Sequence, residues 1–260
     1  MKTTVITGAS AGIGAELARQ LAAPGAALVL AARNQQSLEE VRTACIERGA
    51  QAIAVRCDVG VQDDCRRLVE SALQAFGGID VLVNNAGVSG HAFLHEVEDL
   101  GWYEDMMRVN FFGTLWCTRY ALPHLKARRG LVVGVSSLAG KHGIPGRTAY
   151  SPSKFAQTGF LEALRVELLG SGVDVTIAYP GVVATDIRIN GYGADGRPAG
   201  KSGLDEAGAM PVEECARLIR RGMERRSREV VMTARGRLGQ WLKLLAPSLV
   251  DRMALRALKK

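Results

Sequence analysis

The chain has 260 residues, of which 47% are hydrophobic and 23% charged, with a formal net charge of +7; this is an ordinary globular composition, long enough for a sizeable α/β core and free of low-complexity tracts and repeats. Five cysteines without a C-x-x-C pair and four scattered histidines indicate neither a disulfide framework nor a metal site. Residues 236–260 hold a net +5 of the total, so the body of the chain is close to neutral and offers no basic surface for nucleic acid.

No signal peptide opens the chain, because "MKTTVITGAS" passes straight into an apolar run and a glycine loop, and no window is uniformly apolar over the length a membrane span needs. A single soluble, cytoplasmic domain is the expectation. Short apolar runs follow at 3–7, 26–32, 52–59, 79–87, 129–137, 173–181 and 229–233, and runs of this length read as strands buried on both faces. Helical patterns lie between them at 13–22, 36–47, 61–76, 102–126 and 151–169. Strand–helix alternation with short links predicts a doubly wound, Rossmann-type parallel sheet of about seven strands with helices on both faces. The segment 186–205 is glycine-rich and too long for an ordinary connection, so it reads as a mobile flap over a substrate cleft. The domain boundary falls near 235, leaving 236–260 as a carboxy-terminal extension.

Three stretches carry chemistry. "TGASAGIG" (7–14) joins the first strand to the first helix, and its glycines let backbone N–H groups approach a pyrophosphate at the positive end of that helix. "LAARN" (30–34) ends the second strand. "YSPSKF" (150–155) sets Tyr150 and Lys154 four residues apart on one helix face. A phenol is a poor acid or base near neutrality, and a neighbouring ammonium moves it toward working range. Pro152 lies between the two, which fits the first turn of a helix starting near 151.

Together with "NNAG" (84–87), "VNFFG" (109–113), "VSSLAG" (135–140) and "PGVVAT" (180–185), these motifs resemble, in order and spacing over roughly residues 3–233, the short-chain dehydrogenase/reductase family. The resemblance implies a catalytic tetrad of Asn110, Ser137, Tyr150 and Lys154. Tyr150 would exchange a proton with the substrate oxygen and Ser137 would polarise that oxygen. Lys154 would hold the nicotinamide ribose and, with the positive nicotinamide ring, lower the Tyr150 pKa, while Asn110 would hold a water in a proton relay. Ser137 is preferred to Ser136 because it lies thirteen residues before Tyr150. The implied cofactor contacts are Gly8, Ser10, Gly12, Ile13 and Gly14 at the pyrophosphate, Asp58 and Val59 at the adenine, and Asn85, Ala86 and Gly87 along the sheet edge. Pro180, Gly181, Val183 and Thr185 would lie beside the nicotinamide, with Tyr150 and Lys154 at its ribose. Asp58 is open to a second reading as a cap for the helix near 61.

NAD-binding relatives place an acidic residue about eighteen positions past the glycine loop. Here Ala32 stands there, followed by Arg33. Without the carboxylate a 2′-phosphate is not repelled, and the guanidinium offers it a charge-assisted grip, so NADP is preferred over NAD. No metal is required. His91 and His142 lie near the expected cleft and read as ordinary loop residues.

The tail "GRLGQWLKLLAPSLVDRMALRALKK" (236–260) carries apolar stripes at Trp241, Leu242 and Leu245 and, after Pro247, at Leu249, Val250, Met253, Ala254, Ala257 and Leu258, with basic residues off the stripe. Such a helix suits peripheral contact with an anionic membrane, a second subunit, or its own domain. The arrangement resembles the subgroup that includes the microsomal hydroxysteroid dehydrogenases, which implies a lipophilic carbonyl or alcohol substrate. A 3-ketoacyl thioester reductase would use the same tetrad, and a non-catalytic NADP-binding sensor or scaffold would need none of it. Family members commonly form homodimers or homotetramers.

Overall fold

Seven strands pair in parallel throughout, in the order β3-β2-β1-β4-β5-β6-β7. In this computed structural model, which describes residues 2–202 and 208–257, they are β1 (Lys2–Thr7), β2 (Ala26–Ala32), β3 (Gln51–Arg56), β4 (Val81–Asn84), β5 (Leu131–Val135), β6 (Asp174–Tyr179) and β7 (Glu229–Val231). The helices between them are α1 (Gly12–Leu21), α2 (Gln35–Glu47), α3 (Gln62–Phe76), α4 (Gly101–Met107), α5 (Gly113–Arg128), α6 (Tyr150–Glu167) and α7 (Val212–Glu224). The expected doubly wound sheet of seven strands is therefore the observed fold.

Alternation along the strands divides the core in two. Ile6, Leu28, Leu30, Val83 and Val133 point to the side covered by α1, α2 and α7. Val5, Val29, Leu82, Val132 and Ile177 point to the side covered by α3, α5 and α6. Each fully buried aliphatic side chain contributes about 1.5–3 kcal/mol, and both faces are dry, which is why the strands read as continuous apolar runs rather than as alternating ones. The strand order reverses between β1 and β4, and the crevice beyond their carboxyl ends is where such sheets take ligands.

The helix expected over 102–126 runs unbroken in its backbone from 101 to 128, with one break in its i→i+4 hydrogen-bond pattern. Residues Arg108–Phe112 form a π turn between α4 and α5, in which Gly113 donates to the Arg108 carbonyl five residues back. The pattern of apolar residues alone carried no sign of this break.

The glycine-rich segment after β6 is built from turns pinned at several points. Tyr192 makes bridges with Gly90 and with Pro198, and Val183 with Met210. The Tyr192 ring stacks on Trp102 with centroids 5.5 Å apart. Residues 203–205 of the expected flap lie outside the described residues.

Beyond β7 the chain forms α8 (Ala234–Leu245) and α9 (Pro247–Ala257), so the helical extension starts two residues before the expected boundary. Thr233 caps α8 by accepting from the Gly236 amide at 3.0 Å, and Pro247 occupies the first position of α9. Lys243 Nζ donates to the Lys141 carbonyl at 2.9 Å, tying α8 to the loop after β5. Trp241 and Leu245 nevertheless remain 69% and 84% exposed. Leu258, Lys259 and Lys260 lie outside the described residues. Among the described residues no helix is long and apolar enough to cross a membrane.

Candidate active site

The glycine loop closes against the end of β4. Gly8 and Gly12 adopt positive φ, +66° and +52°, a region that other residues enter only with strain. Gly14 is needed for a different reason: a Cβ there would lie 2.3 Å from the Gly8 carbonyl oxygen and 2.4 Å from Asn85 Nδ2. Asn85 holds the loop by donating through Nδ2 to the carbonyls of Thr7 (2.9 Å) and Gly8 (3.1 Å). Thr7 returns the contact, its Oγ1 accepting from the amides of Asn85 and Ala86, both at 3.0 Å. Helix α1 has Ala11 at its N-cap position, with no side-chain cap and no acidic residue in its first turn. Its leading N–H groups are thus left to face a ligand, and a glycine-lined cradle at a helix N-terminus suits a dinucleotide pyrophosphate.

Ser10, Gly12 and Ile13 are partly exposed along this loop. Ala32 is buried and Arg33, next to it, is exposed without an ion-pair partner among the described residues. Asp58 Oδ1 accepts from the Gly60 amide at 2.9 Å, and the α3 N-cap position is Val61. Asp58 therefore fixes the turn before the helix and does not cap it; Asp64 reaches back instead, accepting from the Asp58 amide at 2.9 Å. Val59 is buried beside it. On the other side of the crevice, the Pro180 carbonyl accepts from the Leu138 amide, and the Val183 carbonyl accepts from Arg188 Nη2 at 2.8 Å. Thr185 faces the glycine loop: a Cβ on Gly12 would sit 3.2 Å from its methyl group. Gly181 lies partly exposed between these contacts.

The four residues of the expected tetrad come from three places, the π turn, the loop after β5 and α6, and converge. Asn110 sits within the π turn, fully buried; its Oδ1 accepts from the Val88 amide at 2.8 Å and its Nδ2 donates to the Val88 carbonyl and to Ser153 Oγ. A Cβ on Gly87 would lie 3.0 Å from Asn110 Oδ1 and 3.4 Å from Lys154 Nζ, so the sheet edge, the π turn and α6 meet at one point. Tyr150 is the first residue of α6, with Pro152 in its first turn. Ser137 follows β5, its Oγ accepting from the Ala139 amide at 3.2 Å. Ser136 is turned into the core, against Thr158 Oγ1 and the Lys154 carbonyl. Of the two serines, Ser137 is the one that hydrogen-bonds with Tyr150.

Burial dominates the electrostatics of the Tyr150 and Lys154 pair. Burial pushes the Tyr150 phenol above its ordinary range, and it is opposed by a hydrogen bond with Ser137 and by the charges of Arg147 and Arg188. Lys154 Nζ lies 6.0 Å from the Tyr150 ring centroid, but it donates to the Val135 carbonyl at 3.0 Å and to Gln157 Oε1 at 3.2 Å. Burial brings its own pKa down to about 8. The amine is still charged at pH 7 and loses its proton above about 8. His91 and His142 are partly buried, and burial together with nearby cations lowers both pKa values, leaving them neutral at pH 7. Among the described residues no group of His, Cys, Asp or Glu is arranged to hold a metal ion.

Several residues at the site gave no signal in the sequence. Gln157 links Lys154 to Thr114 Oγ1, to which it donates at 2.8 Å, and Ser153 links Asn110 to the Tyr150 carbonyl. Arg147, in the loop before α6, is only 5% exposed. Thr7 alone had a visible marker, since it begins the glycine motif.

A family model described as short chain dehydrogenase matches residues 2–192. Among curated proteins, "11-beta-hydroxysteroid dehydrogenase A" of Sesamum indicum is 38% identical, the match covering 96% of this chain and 73% of that protein. "Dehydrogenase/reductase SDR family protein 7-like" of Dictyostelium discoideum is 32% identical over 96% of this chain and 79% of its own length. Among solved structures, a short chain dehydrogenase/reductase from Burkholderia phymatum in complex with NAD superposes with a TM-score of 0.83 at 26% identity, covering 95% of this chain and 94% of that one. An alcohol dehydrogenase from the archaeon Thermococcus sibiricus, complexed with 5-hydroxy-NADP, gives a TM-score of 0.75 at 29% identity over 89% and 94% of the two chains.

Proposed function

This chain belongs to the short-chain dehydrogenase/reductase family and resembles its hydroxysteroid dehydrogenases, and from that premise we propose that it interconverts a carbonyl and an alcohol with NADP as its preferred cofactor. The observation that carries the reading is the convergence of Ser137, Tyr150, Lys154 and Asn110 beside a glycine-lined helix N-terminus. Bound NADP(H) supplies or accepts the hydride. Tyr150 gives its hydroxyl proton to the carbonyl oxygen during reduction and takes it back during oxidation. Ser137 Oγ donates to the same oxygen and fixes its position. Lys154 holds ribose hydroxyls, and Asn110, locked by Val88 and Ser153, keeps the relay end of the site in place.

Arg33 grips the 2′-phosphate in this reading, with Asp58 and Val59 at the adenine. A lipophilic substrate is supported by the side chains carried on the two loops at the cleft, where Leu94, Ile187 and Ile189 are exposed. The same apolar character continues on α8 and α9. With Arg237, Lys243 and Arg252 beside it, that surface suits peripheral contact with anionic lipid. A second copy of the chain is the proposed partner of the α5–α6 face, where Phe112 and Phe155 are 40% and 39% exposed and a groove of about 520 Å³ is lined by Met107, Phe112, Trp116 and Pro152.

The test is turnover. Purified protein with NADPH, screened against ketones, aldehydes and acyl-thioester analogues, is expected to oxidise the cofactor, and Tyr150→Phe is expected to abolish this while cofactor binding persists. Turnover confined to acyl thioesters would favour a ketoacyl reductase. Cofactor binding with no turnover of any carbonyl would leave a non-catalytic sensor.

A further inference from the structure

We propose that Arg147 is the positioning cation that sets the acidity of Tyr150, a role that rests on the reading of Tyr150 as the proton-transfer group. Its guanidinium carbon lies 5.6 Å from the Tyr150 ring centroid. Nη1 is fastened to the loop after β4, donating to Ser89 Oγ at 2.6 Å and to the Gly90 carbonyl at 3.2 Å. The backbone is held as well, for Arg147 bridges Ala92, and its carbonyl accepts from the Ser151 amide in the first turn of α6. The cation is thus fixed to the same turn as the phenol.

A buried guanidinium is expensive to desolvate, and one without a carboxylate is more so. No carboxylate pairs with Arg147 among the described residues. If its task were only to tie the loop to α6, a neutral amide could do so at lower cost. What the arginine adds is a charge that persists above pH 8 as well: guanidinium stays protonated across the range, whereas Lys154, charged at pH 7, loses its proton above about 8. The groups facing the phenol are Ser137 from the loop after β5, Lys154 from α6 itself, Arg188 from the turns after β6, and His91 from the loop after β4, close behind Arg147. His91 is neutral, Lys154 is directed to Val135 and Gln157, and Arg188, which donates to the Val183 carbonyl and Ser202, acts on the phenol in the same direction as Arg147 but less strongly. Of the two guanidinium groups, Arg147 has the larger effect, and its carbon lies 5.6 Å from the ring centroid.

Phenolate absorbance reports this without turnover. The full chain and its Arg147→Met and Arg147→Lys variants would each be titrated against the matching Tyr150→Phe protein, so that only the Tyr150 component is read. The expected result is a midpoint at higher pH in R147M and one restored toward wild type in R147K. In the assay, kcat/KM at pH 7 falls about tenfold in R147M, the scale of one lost opposite charge at this range, and the limb that reports Tyr150 moves with the spectroscopic midpoint. Arg147→Gln, which keeps an amide donor toward Ser89, makes the same charge removal should R147M fail to fold. An unchanged midpoint in R147M or R147Q overturns the proposal, including the outcome in which only KM for anionic substrates rises and Arg147 is a substrate contact. If the wild type turns over no carbonyl, the proposed reaction fails while the titration still decides whether Arg147 governs the phenol.

Discussion

Lys154 donates to the Val135 carbonyl over 3.0 Å, which anchors a nearly inaccessible ammonium to the end of the central strand β5. Anchoring does not repay full desolvation, and its pKa falls to about 8 against an unfolded value of about 10.4. Between those values the unfolded chain binds more protons than the folded one, so this residue's contribution makes stability rise with pH. Its penalty is fully present below pH 8 and is relieved above it. Unfolding free energies of wild type and Lys154→Met, measured by denaturant titration at pH 7 and pH 10, are expected to differ in their pH response by about 2 kcal/mol, the wild type gaining on going to pH 10. Parallel pH responses would show that the amine is not held out of water.

Gly14 is predicted to tolerate no side chain. A Cβ there would enter the space of the Gly8 carbonyl and the Asn85 amide, and overpacking of this kind costs about 1–3 kcal/mol. Gly14→Ala should lower the thermal midpoint and weaken NADPH binding, read by calorimetry and by cofactor fluorescence.

Arg33→Ala tests cofactor choice. Loss of a charge-assisted contact of about 1.5–3 kcal/mol should weaken NADPH by about tenfold or more and leave NADH unchanged in a binding titration. Equal losses for both would show that the arginine does not read the phosphate.

Trp241 and Leu245 are large apolar side chains of α8 that remain 69% and 84% exposed. If this face meets lipid, the paired change Trp241→Ser and Leu245→Ser should reduce flotation with phosphatidylserine vesicles by at least about tenfold, since each side chain forfeits about 1.5–3 kcal/mol of burial. Raising the salt should weaken wild-type binding, because Arg237, Lys243 and Arg252 would contribute by charge. Wild-type protein that stays out of the vesicle fraction would remove the membrane contact.

The sheet was legible because strands such as 26–32 are buried on both faces, so apolar runs and strands coincide. The glycine loop was legible because Gly8, Gly12 and Gly14 satisfy steric demands that leave a mark in composition. The π turn was not, since the helix pattern on either side of Asn110 continues without a breaker. Arg147 was equally silent: a lone arginine in a loop reads as a solvated charge, and only the fold, by bringing Ser89 and Gly90 against it, shows it to be buried. Lys154 was found by spacing, but its real partners, Val135 and Gln157, depend on a strand end and a second helical neighbour that no local pattern joins.

The π turn at 108–112 also reconciles two docking directions along one rod of backbone. Trp102 and Met106 ahead of it pack with Ala92 and Ala149, while Cys117, Ala121 and Leu125 behind it pack on the sheet. One surplus residue advances the phase of a helix by about 100°. Trimming a single residue there would therefore rotate one apolar stripe away from its seat whenever the other was engaged, making the segment's length as constrained as its composition.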